Sequence, residues 1–141
     1  ISVGANSDVE LKEKKDRVDD SIHATKAAVK EGIVPGGGVA LLNAANNLKN
    51  NSDGADIFIK AIKHPYLKIL ENAGIESDGA ILGKGKGINV ITGKTVNMIK
   101  EGIIDPLLVT KSALKNAVSV AKTIMSTDCV ISNMREEQWK Q

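Results

Sequence analysis

A chain of 141 residues is long enough for one domain that buries roughly two thirds of its unfolded surface. Its 19 Lys and Arg nearly balance 17 Asp and Glu, and a net charge of +2 gives no argument for nucleic acid or an anionic membrane as partner. The aromatic residues are Phe58, Tyr66 and Trp139, too few for a base-stacking platform, so any core must be aliphatic. Cys129 is alone, which excludes an internal disulfide and fits a reducing compartment. No apolar run approaches a membrane span and no secretory leader opens the sequence. The first residue is Ile1 rather than methionine, so a piece of a longer protein is expected.

Residues 1–6 read as an extended lead-in. Ser7-Asp8-Val9-Glu10 is a capping box, with Ser7 accepting from backbone and Glu10 reaching back. A long helix over residues 8–31 follows, with Leu11, Val18, Ile22 and Val29 on one stripe and charged, solvated residues elsewhere. Pro35 and three consecutive glycines, Gly36, Gly37 and Gly38, then separate this charged pattern from an apolar one. Three glycines together cost backbone entropy. They suit either a sharp turn between helices or close approach of a ligand to bare backbone. In the second case the amides of Gly37 and Gly38 lie open at a positively polarised helix N-terminus.

The second helix is expected over residues 38–49, on Val39, Leu41, Leu42, Ala45 and Leu48. Residues 50–54 form a loop by composition. A third helix covers residues 55–63, and Pro65 opens a fourth at its first position, closed by Gly74. Residues 76–97 suggest a short helix, a glycine loop and a β-hairpin. The β-branched run Ile88-Asn89-Val90-Ile91-Thr92 enters that hairpin, which turns at Thr92-Gly93-Lys94. Residues 102–106 read as a turn before a last helix that Pro106 starts and that runs to about residue 126. Cys129-Val130-Ile131 is expected to be a terminal strand, and the tail 135–141 to fray.

The segment from Gly87 to Thr95 approaches a phosphate-binding P-loop, which needs two glycines with four residues between them followed by Lys and Ser or Thr. Gly87 lies one residue too far from Gly93, so Lys94 reads as an exposed hairpin residue. The acidic candidates are Asp19 and Asp20 within the long helix and Asp105 before a proline. Asp105 also suits a cap or turn for the helix that Pro106 opens. His23, His64 and Cys129 are scattered without zinc spacing, and no nucleophile elbow is present.

Val9-Glu10-Leu11-Lys12-Glu13-Lys14-Lys15-Asp16-Arg17-Val18-Asp19-Asp20-Ser21-Ile22-His23-Ala24-Thr25-Lys26-Ala27-Ala28-Val29 closely resembles one segment of the GroEL-type (group I) chaperonins. The likeness continues through Glu31-Gly32-Ile33-Val34-Pro35-Gly36-Gly37-Gly38-Val39-Ala40-Leu41. It returns at Gly102-Ile103-Ile104-Asp105-Pro106, at Val109-Thr110-Lys111-Ser112-Ala113-Leu114 and at residues 117–121. It spans essentially this whole chain but only about the last quarter of a family member.

The resemblance implies a mainly α fold: residues 1–31 ending the intermediate domain with its long helix, residues 32–134 forming the C-terminal half of the equatorial ATP-binding domain, and residues 135–141 a polar tail. Within it the resemblance implies a small β-hairpin and the terminal strand. Asp20 matches the family's catalytic aspartate, which orients the water that attacks the γ-phosphate. Gly37 matches a nucleotide-contacting glycine; Asn89, Val90 and Ile91 match residues beside the adenine; Ile103 packs on the base and Asp105 reaches the ribose. The implied cofactors are ATP with Mg and K ions, most of whose ligands lie outside this chain. The implied partners are identical subunits in a heptameric ring, a lid co-chaperonin and unfolded clients, in bacterial cytoplasm or an organelle matrix. Departures fall at two shortened loops, at Val90 and Ile91 (smaller in the family), over residues 66–80 where rings meet, and at the absent Gly-Gly-Met tail. The phosphate-binding loop and the client-binding apical domain fall outside these residues, so the chain alone is expected neither to hydrolyse ATP nor to refold a client. The alternative is a stand-alone helical interaction module without enzymatic activity.

Overall fold

The structure, a computed structural model, describes residues 2–77, 79 and 83–132. It is mainly helical, with two small antiparallel strand pairs. The elements are α1 (Asp8–Glu31), β1 (Ile33–Pro35), α2 (Val39–Asn47), α3 (Asp53–Asn72), β2 (Lys86–Asn89), β3 (Lys94–Asn97), β4 (Ile104–Pro106) and α4 (Leu107–Met125). Two compact units divide the chain, Ile1–Thr110 and Lys111–Gln141, so α4 begins in the first and continues in the second.

The long helix has the expected bounds, but its cap is half a capping box. Ser7 Oγ accepts the Glu10 N–H at 3.3 Å. The Glu10 carboxylate does not return to Ser7; it accepts the Asn6 N–H at 3.1 Å and pairs with Lys14 Nζ at 2.8 Å. Lys14, and after it the Asn6 amide, hold the Glu10 carboxyl below its ordinary pKa. At the other end Gly32, with φ of +87°, donates its N–H to Ala28 O. The expected apolar stripe is not buried: Leu11, Ile22 and Val29 are exposed and only Val18 is half-buried. The helix instead turns the small residues Ala24, Thr25 and Ala28 toward Ile33 and Ile104–Pro106, because small side chains let helix and strand backbones approach.

Residues 102–106 do not form a plain turn. Ile104, Asp105 and Pro106 are a strand, paired with Pro35, Val34 and Ile33. Asp105 is therefore a strand residue opposite Val34, not a helix cap. Neither segment has the length or alternation of an ordinary strand, and a proline ends each one. Lacking an N–H, Pro35 and Pro106 stop the ladder at opposite corners. Gly36 N–H to Ile103 O at 2.9 Å and Leu107 N–H to Gly32 O at 3.0 Å bracket it.

The helix expected to break at Pro65 is continuous from Asp53 to Asn72. Ser52 Oγ caps its start through the Ala55 N–H. Pro65 and Ala61, whose carbonyl loses its partner, are both exposed, so water can serve that carbonyl. On an adjacent face Ile62, Tyr66 and Leu70, each four residues apart, are buried. Burial on both sides of the proline, about 1.5–3 kcal/mol per large apolar side chain, offsets an interior-proline cost of about 3 kcal/mol. Gly74, with φ of +70°, closes the helix as expected, and Ile75 N–H donates to Leu70 O.

The hairpin forms, but its first strand ends at Asn89 rather than Thr92. Asn89 Oδ1 accepts the Ile91 N–H at 3.0 Å, and Asn89 O accepts from Gly93 at 2.8 Å. This side-chain turn, with Gly93 at φ of +68°, outweighs the strand preference of Val90 and Ile91 and places both in the tip. The short helix expected before it, in part, and the tail 135–141, entirely, lie outside the described residues. In the second unit, Cys129-Val130-Ile131 is not a strand, because no described segment pairs with it; these residues are exposed.

The core lies in the first unit. Val39, Leu42, Tyr66, Leu70 and Met98 form one buried cluster, edged by Leu67, Ile75, Ile88, Val96 and Ile103. It joins α2, α3, the hairpin and the turn after β3, whereas α1 and α4 bury no residue. Leu42→Ala should therefore cost about 2–5 kcal/mol, while Val29→Ala should stay within about 0.5 kcal/mol. Urea unfolding of the two variants measures the contrast, and equal losses would mean that the core lies elsewhere.

Candidate functional site

Of the residues proposed from sequence, Gly37 lies in the short loop between β1 and α2, and Ile103 and Asp105 lie on the segment that passes it. Gly36 is buried there, and a Cβ on it would lie 3.0 Å from Ile104 N and 3.1 Å from Ile103 C. Gly37 has φ of +64°, with the Met98 methyl 3.2 Å from where its Cβ would stand. Gly38 has φ of +78°, and its Cβ would meet Tyr66 N at 2.8 Å. Each glycine is thus required by space, by backbone conformation or by both. Among the described residues the N–H groups of Gly37 and Gly38 have no backbone acceptor, and no side chain caps α2. A tight turn and open amides at a helix N-terminus, alternatives in the sequence, coexist here.

Asp105 pairs with Val34, the second residue before the loop, and Ile103, two residues before Asp105, accepts the Gly36 N–H. Ile103 also packs against the core cluster. Asp105 lines a shallow pocket of about 180 Å³ with Ala24, Thr25, Ala28, Ile33, Ile104 and Pro106. Asp20 is exposed, one helical turn before Ala24, so Asp20, Ala24 and Ala28 form one row along α1. Asp20 is not itself among the pocket's lining residues. Ile103 thus meets the glycine loop at Gly36, Asp105 lies two residues on in the paired strand, and Asp20 stands one turn before the α1 residues that share a pocket with Asp105.

Asn89, Val90 and Ile91 occupy the hairpin tip, where Val90 and Ile91 are exposed. The hairpin base, not its tip, touches the loop: Gly85 approaches Pro35, and Gly87 lies against Val39 and Met98. Lys94 is exposed at the start of β3, in line with its reading as a hairpin residue. No group of three or more His, Cys, Asp or Glu among the described residues could hold a metal ion. Among the described residues no helix is long and apolar enough to cross a membrane.

Sequence reasoning missed Tyr66 and Met98, which no motif marks. The Tyr66 hydroxyl is buried without a hydrogen-bond partner among the described residues; the Ile88 N–H faces it without reaching hydrogen-bonding geometry. Burial pushes the phenol pKa up, against the smaller pull of the Ile88 amide.

A family model for the TCP-1/cpn60 chaperonin family matches residues 1–135. The chain belongs to that family. Among solved structures it is similar to a group III chaperonin in the open state, at 28% identity and a TM-score of 0.74. The match covers 92% of this chain and 30% of the other, so this chain spans less than a third of that chaperonin's length. The mainly helical architecture with small antiparallel pairs is that of part of a chaperonin equatorial domain.

Tyr66 is the chain's one tyrosine, so an ultraviolet titration reads it alone. Its folded pKa lies above the unfolded value near 10, so the folded state keeps the proton longer. The resulting stabilisation is full below pH about 10 and is lost as pH rises through the folded pKa. The phenol should ionise later in the folded chain than in urea; coincident curves would show an exposed hydroxyl.

Proposed function

We propose that this chain is part of an ATP-dependent chaperonin subunit, supplying one wall of the nucleotide site and the helix that carries its catalytic carboxylate. The supporting observation is the placement of Asp105 beside a glycine loop with open amides, next to an α1 face that continues to Asp20. The open amides fit a phosphate: a helix N-terminus with no competing side chain favours negative charge.

In this reading Gly37 offers its backbone to the phosphates, and Asp105 accepts hydrogen bonds from the ribose hydroxyls. Ile103 gives the base an apolar surface, and Asn89, Val90 and Ile91 flank it. ATP, with Mg and K ions held mostly by residues outside this chain, supplies the transferable phosphoryl group and its charge neutralisation. Asp20 holds a water by hydrogen bonding and takes its proton as the water attacks. Residues 1–31 are then the end of the intermediate domain, residues 32–134 the C-terminal half of the equatorial domain and residues 135–141 a tail. The exposed apolar faces of α1 and α4 suit a chain that continues beyond these residues. The whole subunit would assemble with identical copies in a ring, heptameric in the group I pattern. It would act on unfolded proteins with a lid co-chaperonin, in cytoplasm or an organelle matrix.

In a complete subunit carrying these residues, Asp20→Ala should retain ATP binding and slow hydrolysis by about 100-fold or more. Unchanged turnover would remove Asp20 from the mechanism. The 141-residue chain alone should show no turnover. Turnover by the chain alone that Asp20→Ala abolishes would show that the site is complete within it.

A further inference from the structure

Gly87 was singled out by its near fit to a phosphate loop, and the proposed function gives it no role. Most glycines here have positive φ and answer to a turn. Gly87 does not: it lies within β2 and its backbone conformation is open to any residue. A glycine inside a strand weakens it, so space rather than backbone conformation must require this one. A Cβ on Gly87 would stand 2.5 Å from Val39 Cγ2 and 3.0 Å from Met98 Sδ. Val39 is fully buried and is the first residue of α2, directly after Gly37 and Gly38. Its N–H is bound to Gly36 O at 3.2 Å, so it cannot retreat without moving the glycine loop. Met98, 3% exposed, touches both sides: its sulfur faces Gly87 and its methyl faces Gly37. Two residues along β2, roughly 7 Å away, Asn89 builds the turn that carries Val90 and Ile91.

We infer that Gly87 is a positioning residue: its missing side chain sets the gap between the hairpin and the N-terminus of α2, so that the tip and the glycine loop keep a fixed separation. Val39 and Met98 are the gauge against which the hairpin rests. In part this rests on the nucleotide-site reading above, because the two surfaces so spaced are the two halves of the proposed wall.

The test is Gly87→Ala, alone and combined with Val39→Ala, which removes the methyl that the new Cβ would strike. In Gly87→Ala the amide resonances of Gly37, Gly38 and Ala40 should shift together with those of Asn89, Ile91 and Gly93. In the double variant both sets should return toward their original positions. Shifts confined to the hairpin, or no return in the double variant, would overturn the inference. If Gly87→Ala does not fold, the double variant decides: recovery of the fold supports the inference and failure to recover overturns it. In the complete subunit the KM for ATP should rise about tenfold or more in Gly87→Ala and recover in the pair. A wild-type subunit that binds no nucleotide would defeat the functional reading, while the amide shifts would still judge the role of Gly87.

Discussion

Backbone packed directly on backbone at residues 36–38 is the constraint from which the first unit is built. Gly36 lies under the Ile103–Ile104 peptide, and Gly38 lies against the backbone of α3 at Tyr66. A methyl group at either position would enter occupied space. The contact fixes where α2 starts, how closely α3 passes it and where β4 runs. Val39 and Leu42, one turn apart in α2, then meet Tyr66, Leu70 and Met98 to form the core. Interiors are close-packed, so small changes at such a junction pass into the elements it joins.

The same missing side chains have a chemical consequence. A helix that begins after two left-handed glycines has no side-chain cap, and among the described residues the Gly37 and Gly38 N–H groups have no backbone acceptor. Most helices satisfy those groups with Ser, Thr, Asp or Asn. Here α1 and α3 do so through Ser7 and Ser52, and α2 does not. In the proposed reading this uncapped N-terminus is the one offered to phosphate, with Asp105 on the neighbouring strand.

Stability is unevenly spread. The buried residues cluster on α2, α3 and Met98, while α1 holds itself by local devices: the Ser7 cap, the Glu10–Lys14 pair at 2.8 Å and the Gly32 end. Exposed pairs of this kind contribute little each. Helix α1 faces β4 across a shallow pocket through Ala24, Thr25 and Ala28 and buries no residue of its own.

Local chemistry alone fixed the long helix from residue 8 to 31, its serine cap, the apolar second helix, the Gly74 ending and the reach of the last helix. Each rests on interactions within a few residues, and such interactions are written in order along the chain. The family was legible for the same reason, through long ordered motifs. Tertiary contact decided the rest. The strand pair Ile33–Pro35 with Ile104–Pro106 joins segments about 70 residues apart that carry no strand pattern. Pro65 ended a helix by its own chemistry, yet buried neighbours on both sides carried the helix through. Ile88-Asn89-Val90-Ile91-Thr92 had strand composition, and an asparagine turn claimed its second half. The apolar residues of α1 remained exposed because burial needs a facing surface, and a stripe in the sequence names only one side of that contact.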